Sequence, residues 1–248
     1  MINVLLAFMI IAAFLAAIVL HECAHAVMAY WLGDRTPQAE GRQALSLRAH
    51  VDPVGLLMCI ILAFQPALSG PMGLGWGKPV KPDPWKLRPG ANPGVLLVAL
   101  AGPIFSLIVG IVAAIVVRFS APVLFANNPI TPYILQFLTV FACTNIGLVL
   151  LNLLPVYPLD GYQILYTLLP SKQAVSFARS AAYGPFIILG IFFLVPFLAN
   201  LAGLNDVPLF HPASLILQGA VSVVALIFGG PFPTAVQIIL GFYLYPAH

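Results

Sequence analysis

Four uninterrupted apolar stretches, residues 3–31, 94–118, 133–154 and 182–204, dominate this sequence. A fifth, 213–246, is interrupted at Gly229-Gly230-Pro231-Phe232-Pro233, which predicts one broken helix or a tight hairpin. A helix that crosses a bilayer needs about 20 such residues, and a chain in hydrocarbon must satisfy its backbone internally, as a helix does. Only 7% of the residues are charged and 61% are hydrophobic, whereas a soluble domain carries about 25% charge. A soluble globule of this size could not hide so much apolar surface. The expected fold is therefore an all-α polytopic membrane protein with about five to six transmembrane helices, its solvent the lipid bilayer. Residues 1–248 are expected to form one membrane-embedded domain. The N-terminal apolar run lacks a basic leader and continues into histidines, so it is expected to be a retained helix rather than a signal peptide.

The charge is sparse, at a net +3. The basic residues do not gather into a patch that would bind nucleic acid. Cys23, Cys59 and Cys143 all lie in apolar sequence, which suits small buried hydrophobes rather than a disulfide framework. Most charge falls in two loops. Residues 33–53 hold Arg35, Arg42 and Arg48, and residues 71–93 hold Lys78, Lys81, Lys86 and Arg88. Between them, residues 54–70 are short for a span and carry Gln65, Pro66 and Gly70 near their end, the pattern of a re-entrant or interfacial segment.

His21-Glu22-Cys23-Ala24-His25 lies near the end of the first apolar run. Histidines four apart on a helix project from one face and can share one metal ion, with the intervening glutamate beside the ion rather than bound to it. An ionisable residue at the centre of a membrane helix costs about 2.5–3.5 kcal/mol on insertion scales. Three together call for a compensating purpose, and metal binding supplies one. Catalytic zinc usually takes three protein ligands and one water. Asp34, Glu40, Asp52 and Asp83 fall in polar loops, where a solvated charge is the default, and Asp206 looks like a loop residue. Asp160 remains, in Asn152-Leu153-Leu154-Pro155-Val156-Tyr157-Pro158-Leu159-Asp160-Gly161. Alone it reads equally as a turn residue at the interface or as part of a site. The histidine motif upstream favours the site. His50, His211 and His248 read as solvated or capping residues.

H-E-x-x-H in one apolar helix, followed far downstream by N-x-x-P-x-x-P-L-D-G, resembles the site-2 protease family of intramembrane zinc metalloproteases. Gly41-Arg42, Ser46-Leu47, Asp52-Pro53-Val54-Gly55, Gly75-Trp76-Gly77-Lys78-Pro79-Val80 and Ala101-Gly102-Pro103 resemble the compact prokaryotic members. The resemblance spans about residues 15–170, a catalytic core of about 3–170, with additional C-terminal helices over 182–246. It implies one Zn2+ held by His21, His25 and Asp160, with Glu22 as the catalytic acid-base. Its implied substrate is a membrane-anchored protein, and its implied setting a prokaryotic cell membrane. Two departures stand out: Ser106 where many members carry asparagine, and Tyr162 where a second glycine often follows the aspartate.

Several expectations follow. If 54–70 does not span, His21, His25 and Asp160 meet on the inner side, and every Lys and Arg except Arg118 is cytoplasmic, in line with the positive-inside tendency. Asn152 reads equally as a donor to a tetrahedral oxyanion and as a polar packing contact. The 40–52 segment alternates loosely and suggests a small strand-containing loop whose edge could hold an unwound substrate. The rivals are a membrane zinc-binding or transport protein, an inactive protease relative, and a metalloprotease with glutamate as third ligand. A carrier would need polar residues in several spans. The last lacks a downstream glutamate, since Glu22 and Glu40 are the only two.

Overall fold

The computed structural model describes residues 4–65, 72–124, 130–204 and 207–228. Pro66 and Gly70, Asp206, the Gly229–Pro233 break with the rest of the 213–246 stretch beyond Phe228, and His248 lie outside the described residues. The described chain is almost entirely helical: α1 (Val4–Trp31), α2 (Thr36–Ala39), α3 (Leu47–His50), α4 (Pro53–Ala63), α5 (Ala91–Leu124), α6 (Thr131–Asn152), α7 (Asp160–Leu168), α8 (Ser171–Ala178), α9 (Gly184–Leu189), α10 (Val195–Leu201) and α11 (Pro212–Phe228). Among the described residues, four helical stretches are long and apolar enough to cross a membrane: Val4–Trp31, Ala91–Ser120, Tyr133–Asn152 and Ser171–Leu201. Helices α4 and α11 are apolar but shorter.

Helices α1, α5 and α6 pack against one another as the central trio. The inner face of α1 (Leu6, Ile10, Phe14, Ile18) is fully buried against Cys59 and Ala63 of α4 and Val140 and Leu148 of α6. Its outer face leaves Val4, Leu5 and Phe8 exposed. In a membrane such side chains meet lipid at no cost.

Asp52 starts α4 by accepting from the amides of Val54 and Gly55, with Pro53 in the first turn, where a missing N–H costs nothing. Beyond residue 71 the chain is a buried run outside any helix, Met72 to Gly77, packed back on α1, α4 and α6. Glycines make that return fit. A Cβ on Gly75 would lie 2.2 Å from the Gly55 carbonyl, and one on Gly73 2.6 Å from the Phe14 side chain. The Gly73 amide donates to Thr144 Oγ1 of α6 at 2.9 Å. The two ends of this hairpin meet at an antiparallel bridge between Val51 and Gly77, and the Lys78 amide donates to the His50 carbonyl at 2.7 Å.

The expected strand over 40–52 does not form. Those residues make turns and the single helical turn α3, and the Val51–Gly77 bridge is isolated among the described residues. Pro37 and Pro53 bracket the segment, and local i to i−3 and i to i−4 bonds such as Ala44 N–H to Gly41 O and Val51 N–H to Leu47 O use its amides. Two side chains expected to be solvated are also buried. Asp34 accepts from the amides of Thr36 (2.9 Å) and Asp83 (2.7 Å), tying the end of α1 to the second loop. His50 is fully buried and donates through Nε2 to the Ala44 carbonyl at 2.9 Å.

Candidate metal centre

His21, Glu22 and His25 sit on the buried face of α1, at 1%, 6% and 4% exposure. Asp160 arrives from the far side of the sequence at the first residue of α7. Pro155 and Pro158 end the regular helix after Asn152, and the tight 153–159 turn redirects the chain. Gly161 lets α7 seat on that turn, since a Cβ there would lie 2.4 Å from the Leu153 carbonyl oxygen.

The side chains of His21, His25 and Asp160 converge on one point. His21 Nε2 lies 2.9 Å from Asp160 Oδ2, His25 Nε2 lies 3.1 Å from Asp160 Oδ1, and the two Nε2 atoms are 3.2 Å apart. His25 Nδ1 is 2.7 Å from the Val98 carbonyl oxygen. A carbonyl only accepts, so Nδ1 carries the ring proton and Nε2 of the neutral imidazole is a bare lone pair. His21 Nδ1 pairs with the Ser106 hydroxyl at 2.9 Å and presents its own Nε2 to the same point. Two imidazole lone pairs and a carboxylate facing one another repel unless a cation sits among them.

The spacing suits such a cation. Donors about 2.0–2.1 Å from a tetrahedral zinc ion lie roughly 3.3 Å from each other, close to the separations seen. Gly102 leaves the space open: a Cβ on it would fall 2.2 Å from His25 Nε2 and 2.7 Å from His21 Nε2. These three side chains are the group among the described residues that could hold a metal ion, with donor atoms within 4.8 Å of one another. The Ser106 and Val98 contacts are of the kind that fixes ring orientation where histidines bind a metal.

Glu22 stands beside this cluster. Gly77 packs on its carboxylate so tightly that a Cβ there would lie 2.5 Å from Oε1. Val80 lines the same cleft as the carboxylate, and Oε2 is buried without a hydrogen-bond partner. A cleft of about 280 Å³ opens over the group, lined by Glu22, His25 and Asp160 together with the 79–82 segment, the start of α5, Tyr157 and Tyr162.

His21, Glu22, His25 and Asp160 are thus brought together, and Asn152 is not among the residues lining the cleft. Its Nδ2 donates to the Leu148 carbonyl one turn back, at 3.0 Å. Ser106, marked in the sequence only as a departure, contacts His21. Val98 could not have been found, because it acts through its main-chain carbonyl. Gly77 and Gly102 lie in segments that carried the family resemblance, so a signal for them existed.

The chain is 31% identical over 178 residues to a protein described as "Putative zinc metalloprotease YwhC" from Bacillus subtilis strain 168. The match covers 71% of this chain and 76% of that protein. No protein-family profile matches the chain, and no solved structure matches it.

Proposed function

The chain belongs to the family of that zinc metalloprotease, and we propose that it is an intramembrane protease of the site-2 type, hydrolysing peptide bonds in or near the apolar segments of membrane-anchored proteins. The convergence of His21, His25 and Asp160 beside Glu22 on a helix long enough to span a bilayer carries this proposal. His21, His25 and Asp160 would hold one zinc ion. When bound, zinc supplies Lewis acidity toward the scissile carbonyl and makes water a better nucleophile at neutral pH.

The chain's own residues do the rest. Glu22, backed by Gly77, accepts the proton of the attacking water and returns it to the leaving amine. A helical substrate hides its peptide bonds in i to i−4 hydrogen bonds and must unwind before it can react. The extended 79–82 segment, rather than 40–52, lies along the cleft and is the main chain beside which an opened substrate would run. The α4 hairpin is proposed as re-entrant: its ends meet at Val51–Gly77, so it would enter and leave on one side, here assigned as cytoplasmic.

The test is zinc content followed by turnover. Purified protein should carry about one zinc per chain, and proteoliposomes should cleave a co-reconstituted single-span reporter. Glu22→Gln should keep the metal and lose cleavage. A zinc-free folded protein, or a fully active Glu22→Gln, refutes the assignment.

A further inference from the structure

Arg42 is an anomaly among the basic residues. It lies in a loop yet is only 5% exposed. Among the described residues it forms no ion pair with a carboxylate; its fork is spent on main-chain carbonyls. Nη1 donates to the Ala49 oxygen, and Nη2 donates to those of Lys78 (2.8 Å) and Pro79 (2.6 Å). It thus ties the 42–50 loop to the segment that follows Gly77. Burying a cation with no counter-charge in contact is costly, so a position that keeps one needs a reason.

The reason lies one residue before this grip. The carbonyls held by Arg42 belong to Lys78 and Pro79, directly after Gly77, and Gly77 packs on the Glu22 carboxylate so closely that a Cβ there would lie 2.5 Å from Oε1. After the Lys78 amide, bonded to His50, the 79–82 run lies in no helix and no sheet. Pro79 and Pro82 also remove two of its amides. Arg42 replaces the missing ladder with one planar fork that reaches two consecutive carbonyls. A lysine, a point charge on a flexible stem, matches that geometry poorly. The guanidinium is also near enough for its charge to act on Glu22.

We propose that Arg42 is a positioning residue for the reaction: by clamping Lys78 and Pro79 it holds Gly77 against the Glu22 carboxylate and so sets where that carboxylate stands over the cleft. Arg42 can act this way only if Glu22 is the acid-base proposed above. Arg42 touches none of the metal ligands and reaches the cleft only through the Pro79 carbonyl, so its loss should leave zinc in place and fall on the chemical step. A misplacement near 1 Å costs about a hundredfold in rate.

Arg42→Gln and Arg42→Lys are compared with wild type in proteoliposomes, using the single-span reporter and measuring zinc per chain, kcat and KM. Arg42→Gln is expected to keep about one zinc and lose roughly 10- to 100-fold in kcat with KM within about threefold. Arg42→Lys is expected to recover part of the loss. Should Arg42→Gln fail to fold, Gly77→Ala gives a second route, because its new methyl displaces the same carboxylate and should produce the same kcat-selective loss. Wild-type kcat in Arg42→Gln, or a loss that tracks zinc or appears in KM alone, overturns the inference while an active wild type leaves the protease assignment standing. An inactive, zinc-free wild type removes both.

Discussion

Replacing Gly102 with alanine should evict the metal without touching a ligand. The added Cβ would stand 2.2 Å from His25 Nε2 and 2.7 Å from His21 Nε2. Zinc itself binds imidazole nitrogen at about 2.0–2.1 Å, so the methyl group would occupy the ion's own place. To regain an ordinary contact of about 3.4 Å, His25 would have to retreat by over 1 Å, against a tolerance of about 0.2 Å in a zinc–ligand bond. An apparent zinc affinity of about 10–16 kcal/mol, shared among four coordination positions, is roughly 3 kcal/mol per bond. Losing one imidazole then weakens binding about a hundredfold, and losing both about ten-thousandfold. The assay is zinc retention against a graded chelator series, with melting temperature followed in parallel. Gly110→Ala is the control. It lies two turns along the same helix, and its Cβ would meet Ile146 at 2.8 Å, away from the ligands. It should cost about 1–3 kcal/mol of stability by overpacking and keep its zinc. If Gly102→Ala binds zinc with wild-type affinity, the ion does not sit among these side chains.

Ser106→Ala removes the hydroxyl that orients His21 and should weaken zinc affinity about 10- to 100-fold. Asn152→Ala, whose amide is committed to Leu148, should change kcat by less than about threefold, whereas a true oxyanion donor would cost about a hundredfold or more. Asp34 links acid stability to the second loop. Burial raises its carboxyl, but the hydrogen bonds from Thr36 and Asp83 and the charge of Lys86 outweigh that and hold it below its ordinary 3.8. A lowered pKa contributes stability above the unfolded value and loses it as pH falls through the folded one. The melting temperature should therefore drop below about pH 4 in wild type and much less in Asp34→Asn. In a Cys23→Ser, Cys59→Ala, Cys143→Ala background, Asp83→Cys should react with an impermeant maleimide from the cytoplasmic side only. Labelling from the outside alone would mean that the α4 hairpin crosses the membrane.

Much of this protein could be read without coordinates because the membrane restricts what a sequence can mean. Runs such as 3–31 and 133–154 have one stable form in hydrocarbon, so their helices follow from length and polarity. The 40–52 segment had no such constraint. Loose alternation suggested a strand, but prolines on either side and local amide pairing turned it into turns and α3. Asp34 and His50 misled for a related reason: a polar residue in a loop is solvated only if nothing folds over it, and here the 78–86 segment and the 44–50 turn do.

His21, Glu22 and His25 were legible because four residues make little more than one helical turn, so their shared face is fixed by local geometry. The sequence also singled out Asp160, by elimination and by the prolines before it, but could not bring it to the histidines. That distance is closed by the packing of α7 across α5 and by the turn that Gly161 permits. The outer contacts were decided entirely by tertiary structure. Ser106 on His21, the Val98 carbonyl on His25, Gly102 beneath both and Arg42 behind Glu22 depend on which residues of distant segments stand a few ångströms apart. Periodicity and composition govern how a segment folds on itself, and they carry no information about that.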